Sequence, residues 1–392
     1  VTGGTGGIGR RFVRSRLQRG DEVFVVSRRS DEARRLFAAG ATRNIHVLDG
    51  DPGIPGRWQQ TVGEVDAVVH LAGAPIAAAR WTTEVRETIR RSRVEGTYQV
   101  AFAIRESETP PRVLVSASGT GRYAAGPDPI DESAPAGRGF LSEVAEAWER
   151  EAMRAASDRT RVVVARIPTV LDREAGYLAR MSSWWRRGVD PSPWASGEAV
   201  PWVHHLDLVR MLESALGDES LAGPVNFTAP NAATPAGIRD ALRAILGKRP
   251  LPLPRRLVRL AGGAAVDELA GSRDVVPARL HARKFEWKVE SVAEALAIEL
   301  GHGVVRQTTA TRTPVVPPKP VEPPKPAPVV PPKSVEPPKP APVVPPKPIE
   351  LPKPAPIVPP KPVEPPKPVP VVPPKPAPVV PPRPVPVIPP KP

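Results

Sequence analysis

Three glycines recur three residues apart at the start of the chain, Gly3, Gly6 and Gly9, within Thr2-Gly3-Gly4-Thr5-Gly6-Gly7-Ile8-Gly9. The spacing suits a turn that cradles phosphate. One glycine turns the chain where a side chain would clash, one lets the backbone approach a pyrophosphate, and one lets the next helix lie flat on its strand. That helix start also offers free N–H groups and a partial positive charge to an anion. Gly3, Gly6, Gly7, Ile8 and Gly9 are therefore the candidate cofactor contacts. A glycine triplet alone is a weak signal, because Gly-rich turns are common. Here the strand-like Glu22-Val23-Phe24-Val25-Val26 follows at the distance expected of a βαβ unit. Ser27-Arg28 closes that second strand where an NAD-preferring site places an acid on the ribose 2′-OH. A hydroxyl and a guanidinium suit the 2′-phosphate of NADP instead, with NAD as the lesser alternative and a plain solvated strand end as the bland reading. Asp49, ending the strand 44–48, is placed to reach the adenine edge.

These residues need a parallel sheet to hold them. Residues 65–74 read as a buried parallel strand ending in small residues, and Leu71, Ala72 and Gly73 let a cofactor lie across the strand ends. A helix over 83–105, a strand over 112–115, a helix over 141–156 and a strand over 161–167 continue the alternation. The expected fold class is α/β, a doubly wound parallel sheet of the Rossmann type over residues 1–230. Helices over 235–246, 257–269 and 291–300 predict a small C-terminal α/β lobe, residues 231–305 with contributions from 171–205, closing over the substrate side. Phe285 and Trp287 read as its core. Val1 and Thr2 alone represent the first strand, against about five or six residues in an ordinary one. The sequence is thus expected to lack several apolar residues at its start, or to begin too late, and to fold poorly as written.

Composition narrows the function. There is no cysteine, which excludes disulfides and thiol catalysis. The six histidines show no metal spacing, and His204 and His205, side by side, cannot share one face of a strand or helix; no metal is expected. Before residue 314 the basic residues are nearly all arginines, scattered rather than striped, which argues against nucleic acid as a partner. With no signal peptide and no apolar run of 18 residues, a cytoplasmic protein without a membrane span is expected.

At this point the chain resembles the extended short-chain dehydrogenase/reductase superfamily, most closely the nucleoside-diphosphate-sugar-epimerase-like subfamily with a small C-terminal domain of unknown function. The matching runs are Leu71-Ala72-Gly73-Ala74-Pro75-Ile76 with Arg80-Trp81, Ser92-Arg93-Val94-Glu95-Gly96-Thr97, Val115-Ser116-Ala117-Ser118, Asp131-Glu132, Trp148-Glu149, Pro201-Trp202-Val203-His204 with Asp207, Gly223-Pro224-Val225-Asn226 and Val276-Pro277. They fall in the family's order over about 300 residues. The resemblance implies that Ser118 is the active-site serine that hydrogen-bonds the substrate's reacting oxygen, with Trp81, Trp202 and His204 on the substrate side. Two stretches depart from the pattern, Pro168 to Glu174 and Trp184 to Gly188, where relatives carry Gly-rich loops. The superfamily's Tyr and Lys, four residues apart, are also missing: the corresponding helix reads Phe140-Leu141-Ser142-Glu143-Val144-Ala145, and no lysine precedes Lys248. Of the three tyrosines, Tyr98, Tyr123 and Tyr177, only Tyr123 lies close enough past Ser118 to reach a substrate oxygen. The expected activity is an NADP-dependent oxidoreductase or epimerase-like reaction on a sugar nucleotide or a small carbonyl compound, with Ser118 and Tyr123 as catalytic residues. The alternative is a non-catalytic NADP(H)-binding sensor or scaffold with a Pro-rich arm.

That arm holds 38 of the 57 prolines in residues 314–392, in 14-residue units that begin at Val315 and later shorten to eight. Proline fixes φ and removes a donor, so neither helix nor sheet can form, and a disordered polyproline II tail over 306–392 is expected. Wholly extended, it would reach on the order of 240 Å. It is either a solvated spacer or a docking surface for a Pro-recognising or acidic partner. Because the tail has no aromatic residue with which to join a core, deleting residues 314–392 is expected to leave the melting temperature and cofactor affinity nearly unchanged. Differential scanning fluorimetry of both lengths, with and without NADPH, is the check.

Overall fold

The computed structural model describes residues 1–38, 43–76, 80–195 and 197–301. The Pro-rich repeats lie outside the described residues, as do residues 77–79. In chain order the strands are β1 (Val23–Ser27), β2 (Ile45–Asp49), β3 (Ala67–His70), β4 (Val113–Gly119), β5 (Pro129–Ile130), β6 (Arg161–Ile167), β7 (Thr169–Leu171), β8 (Val189–Asp190), β9 (Trp202–His204) and β10 (Gly223–Asn226). The helices through the same region are α1 (Gly7–Gln18), α2 (Ser30–Ala38), α3 (Thr83–Glu106), α4 (Phe140–Met153), α5 (Gly176–Arg186) and α6 (His205–Gly217).

The main sheet is parallel throughout. Its order is β2–β1, then the first residues of the chain, then β3–β4–β6–β10. Val1 and Thr2 take the central place. The Val26 N–H donates to the Val1 carbonyl, the Thr2 N–H to Val69, and the Leu71 N–H to the Thr2 carbonyl, at 3.0, 3.0 and 3.1 Å. Strand order therefore reverses at the Gly-rich turn, which is where open α/β sheets bind ligands.

The Val-rich strands explain the layering. A parallel strand is covered on both faces, so its residues are apolar without a gap and divide two by two. Val113, Val115, Val163 and Ala165 pack with Phe12 of α1 and with Leu208, Met211 and Leu212 of α6. Leu114, Val162 and Val164 face the other way, onto Val100 and Ile104 of α3 and Ala152 of α4. The strand read from residues 65–74 is only Ala67–His70. Its small-residue end leaves the ladder and forms part of the rim above the sheet.

Beyond β10, α7 (Pro235–Leu246) is followed by β11 (Leu251–Pro252), α8 (Arg255–Gly262), α9 (Ala264–Leu269), β12 (Asp274–Val275), α10 (Ala278–Ala282) and α11 (Val292–Leu300). The single helix expected over 257–269 is two, divided at Gly263, whose φ of +61° no helix accommodates. A separate core joins Leu178 and Trp185 of α5 and Trp202 of β9 to Leu242 of α7 and to Leu296 and Leu300 of α11. Phe285 and Trp287 pack on the main core, edge to face at 5.1 Å.

One buried carboxylate ties this C-terminal part to the sheet layer. Asp207, fully buried in α6, accepts from the Lys288 N–H at 2.8 Å and the Val289 N–H at 2.9 Å. Asp207→Ala strands both donors and is expected to lower unfolding free energy by about 3 kcal/mol, read from urea denaturation followed by circular dichroism.

Candidate functional site

The Gly-rich turn is held by contacts that no side chain could share. Gly3 has φ +70°, and a Cβ there would lie 2.7 Å from the Leu71 and Ala72 backbone. A Cβ on Gly9 would fall on the Gly3 carbonyl oxygen. Gly6 is the N-cap of α1, with no side-chain cap and no acid in the helix's first turn. The N–H groups of Gly7, Ile8 and Gly9 thus face outward with the positive end of the helix dipole. Beside them stand Leu71, Ala72 and Gly73 at the end of β3. Ser27 ends β1, with its Oγ accepting from the Arg29 N–H at 3.2 Å. The Arg28 guanidinium is exposed and only 3.7 Å from Asp51 Oδ2, a loose pair that leaves it free to meet another anion. Asp49 is exposed at the end of β2.

At the carboxyl ends of β4 and β6 lies a second cavity of about 220 Å³, with walls that include Thr120, Leu141, Val144, Ala145, Trp148 and Ile167. The α4 residues on this wall, Leu141, Val144 and Ala145, are apolar. The N-terminus of α4 is closed from the C-terminal part: Glu268 accepts from the Phe140 N–H at 2.9 Å and the Leu141 N–H at 3.3 Å. Glu268 also lines the cavity.

Ser118 and Tyr123 are not among the lining residues. Ser118 is buried and donates to Glu149 Oε1 at 2.7 Å. Tyr123 is buried too; its hydroxyl donates to Asn226 Oδ1 at 2.7 Å and accepts from Arg166 Nη1 at 2.6 Å. Arg166 grips Glu149 with two bonds of 2.9 and 2.8 Å. Burial pushes the Tyr123 phenol above its ordinary value, against the opposing pull of Arg166. Tyr123, expected to reach a substrate oxygen, thus has its hydroxyl bonded to Asn226 and Arg166 in the structure.

The three residues expected on the substrate side are also buried. Trp81 donates to the Ile76 carbonyl at 2.8 Å and packs on Phe140. Trp202 donates to Asn231 and belongs to the C-terminal core. His204 is wholly buried, and its Nε2 lies 3.0 Å from Glu299 Oε1; His205 Nε2 lies 3.1 Å from the same oxygen. The two histidines do converge, contrary to the expectation from their adjacency. His204 ends β9 and His205 begins α6, so the change of backbone geometry between them turns both rings the same way, 4.5 Å apart. Together with Glu299 they are a group whose ligand atoms lie within 4.8 Å of one another. Two imidazole N–H donors on one carboxylate oxygen account for the arrangement.

The residues 1–226 match the model of the NAD dependent epimerase/dehydratase family. The chain belongs to that family. It is 34% identical over 302 residues, 76% of its own length and 84% of the relative's, to an epimerase family protein SDR39U1 homolog, chloroplastic, of Arabidopsis thaliana. Among solved structures, human epimerase family protein SDR39U1 (isoform 2), crystallised with NADPH, superposes with a TM-score of 0.65 at 31% identity, covering 76% of this chain and 97% of the human one. MoeE5, in complex with UDP-glucose and NAD, shares the fold with a TM-score of 0.62 at 19% identity, over 76% of this chain and 96% of its own. Among the described residues, no helix is long and apolar enough to cross a membrane.

Sequence reasoning gave no role to Arg166, Glu299 or Glu268. Arg166 carried a signal, because a charge inside the apolar run Val162 to Ile167 demands a buried partner. Glu299 and Glu268 gave none, since their partners lie about a hundred residues away. Burial pushes the Glu299 carboxyl up, but bonds from His204, His205 and the Arg173 N–H outweigh it and hold the carboxyl well below the usual range. A depressed carboxyl stabilises the fold above its unfolded value of about 4.5 and loses that contribution as pH falls. Glu299→Gln is accordingly expected to lower the melting temperature at pH 7, with the deficit shrinking as melts are repeated from pH 5 down to pH 3.

Proposed function

We propose that the chain binds NADP(H) at its Gly-rich turn and acts as an oxidoreductase or epimerase-like enzyme on a small carbonyl compound. The observation that carries this reading is the uncapped start of α1 above Gly3 and Gly9, with Ser27 and Arg28 at the end of β1 and no acid in their place. The residues fit the cofactor: Gly3 and Gly9 let the turn close tightly against its own backbone and that of Leu71 and Ala72, the start of α1 carries no side-chain cap, and Arg28 is poised for a 2′-phosphate. The human relative with NADPH supports the same choice. NADP(H), when bound, supplies or accepts the hydride. Thr120, on the cavity wall at the end of β4, donates a hydrogen bond to the substrate oxygen in place of the buried Ser118. Leu141, Val144 and Ala145 keep water away. Ser118 and Tyr123 act through Glu149 and Arg166, as positioning residues that fix the strand ends. We place the protein in the cytoplasm, with the tail as an arm for a Pro-recognising or acidic partner.

A specific observation favours a second reading. Among the described residues no tyrosine or lysine lines the cavity, so a non-catalytic NADP(H) sensor fits the same geometry. Fluorescence titration with NADPH and NADH tests the cofactor claim. NADPH is expected to bind more tightly, and Arg28→Asp to weaken it roughly ten- to hundred-fold while sparing NADH. Equal affinities in the unmutated protein would count against the assignment. A carbonyl-compound scan then separates enzyme from sensor, since a sensor binds NADPH and oxidises none of it.

A further inference from the structure

Arg93 lies on α3 with its guanidinium buried under the rim of the 220 Å³ cavity, which it lines. Its Nη1 donates to the Ala74 carbonyl at 2.9 Å and the Ile89 carbonyl at 3.3 Å. Among the described residues no carboxylate lies within ion-pair distance of it, whereas the other buried arginines Arg166 and Arg239 each hold one. Burial pulls its pKa down to about 10, which leaves it charged at neutral pH. A desolvated guanidinium without a counter-ion is costly, and an anionic ligand removes that cost.

A second unpartnered group lies on a residue of the same wall. Trp148, also on the cavity wall, is buried with an indole Nε1–H that has no hydrogen-bond partner. Its ring lies under Arg93, 5.1 Å from the guanidinium carbon to the ring centre. The remaining charges on the wall are committed elsewhere. Glu268 caps α4, and Arg273 donates to the carbonyls of Tyr123 and Ala270 at 3.0 and 2.9 Å. The rest is largely apolar: Ile76, Leu141, Val144, Ile167 and Leu269. The space itself is small, about 220 Å³.

We propose that this cavity takes the carboxylate of a small, apolar-bodied carbonyl acid, with Arg93 as its counter-ion and the Trp148 N–H as a further donor. The proposal rests on the NADP(H) reading and narrows its substrate from carbonyl compounds in general to monocarboxylic ones.

The probes are 4-methyl-2-oxopentanoate and its methyl ester, titrated calorimetrically into the full chain with and without saturating NADPH. The acid is expected to bind at least roughly ten-fold more tightly than the ester, the scale of one charge-assisted hydrogen bond. Arg93→Gln should abolish that preference with NADPH affinity unchanged, and Arg93→Lys should keep part of it, which also guards against a misfolded Gln variant. Trp148→Phe preserves the ring and should weaken the acid alone. Equal binding of acid and ester by the unmutated protein overturns the proposal, as does no binding of either. A parallel loss of NADPH affinity in Arg93→Gln overturns it too, by assigning the guanidinium to a cofactor phosphate. Failure to bind NADPH would sink the cofactor reading alone, because the acid-versus-ester comparison is also made without it.

Discussion

The bidentate pair between Arg166 and Glu149 is the contact on which the candidate site depends. A guanidinium in the middle of an apolar strand is tolerated only when its charge and donors are all matched. Arg166 meets that demand with Glu149 of α4, the Tyr123 hydroxyl and the Glu132 carbonyl. Each partner recruits another element. Glu149 takes Ser118 of β4, Tyr123 takes Asn226 of β10, and Asn226 reaches the Val276 carbonyl while its N–H donates to Glu132. One charge therefore fixes the relative positions of three neighbouring strands, α4 and the segment entering the C-terminal part. Removing Glu149 would leave Arg166 charged, buried and without a carboxylate, at a cost of about 3–5 kcal/mol, whereas Glu149 keeps a second cation in Arg122 at 3.2 Å.

Much of the frame was legible from residue pattern. Glycine spacing located the tight turn before α1, and the unbroken valine runs located the central strands, because parallel strands covered on both faces leave no polar stripe. The side chains at the centre were harder. Ser118 sits at the carboxyl end of β4 as expected, but the pattern could not say which way its hydroxyl turns; the answer depends on Glu149, thirty-one residues on. Tyr123 was chosen by elimination among three tyrosines, and elimination assumes that one of them must serve. Adjacency keeps His204 and His205 on different faces only if the backbone holds one geometry through both. The strand ends between them, and neighbours in sequence become neighbours in space.

The α4 region shows how one helix can serve as wall and anchor at once. Leu141, Val144 and Ala145 line the cavity, and the helix start is occupied by a protein carboxylate, Glu268. On the neighbouring helix α3, Arg93 brings a cation to the same cavity. The cavity is thus apolar on the α4 side and cationic on the α3 side.

The place of the Gly-rich turn has a mechanical meaning. It lies between the end of β1 on one side and the end of β3 on the other, where strand order reverses. A ligand gripping Gly6 to Gly9 and the end of β1 on one side, and Leu71 to Gly73 on the other, would touch both halves of the sheet and act as a clasp. Amide exchange along β1 and β3 would slow together as the ligand concentration rises, by the mass-action rule that ties stability to occupancy.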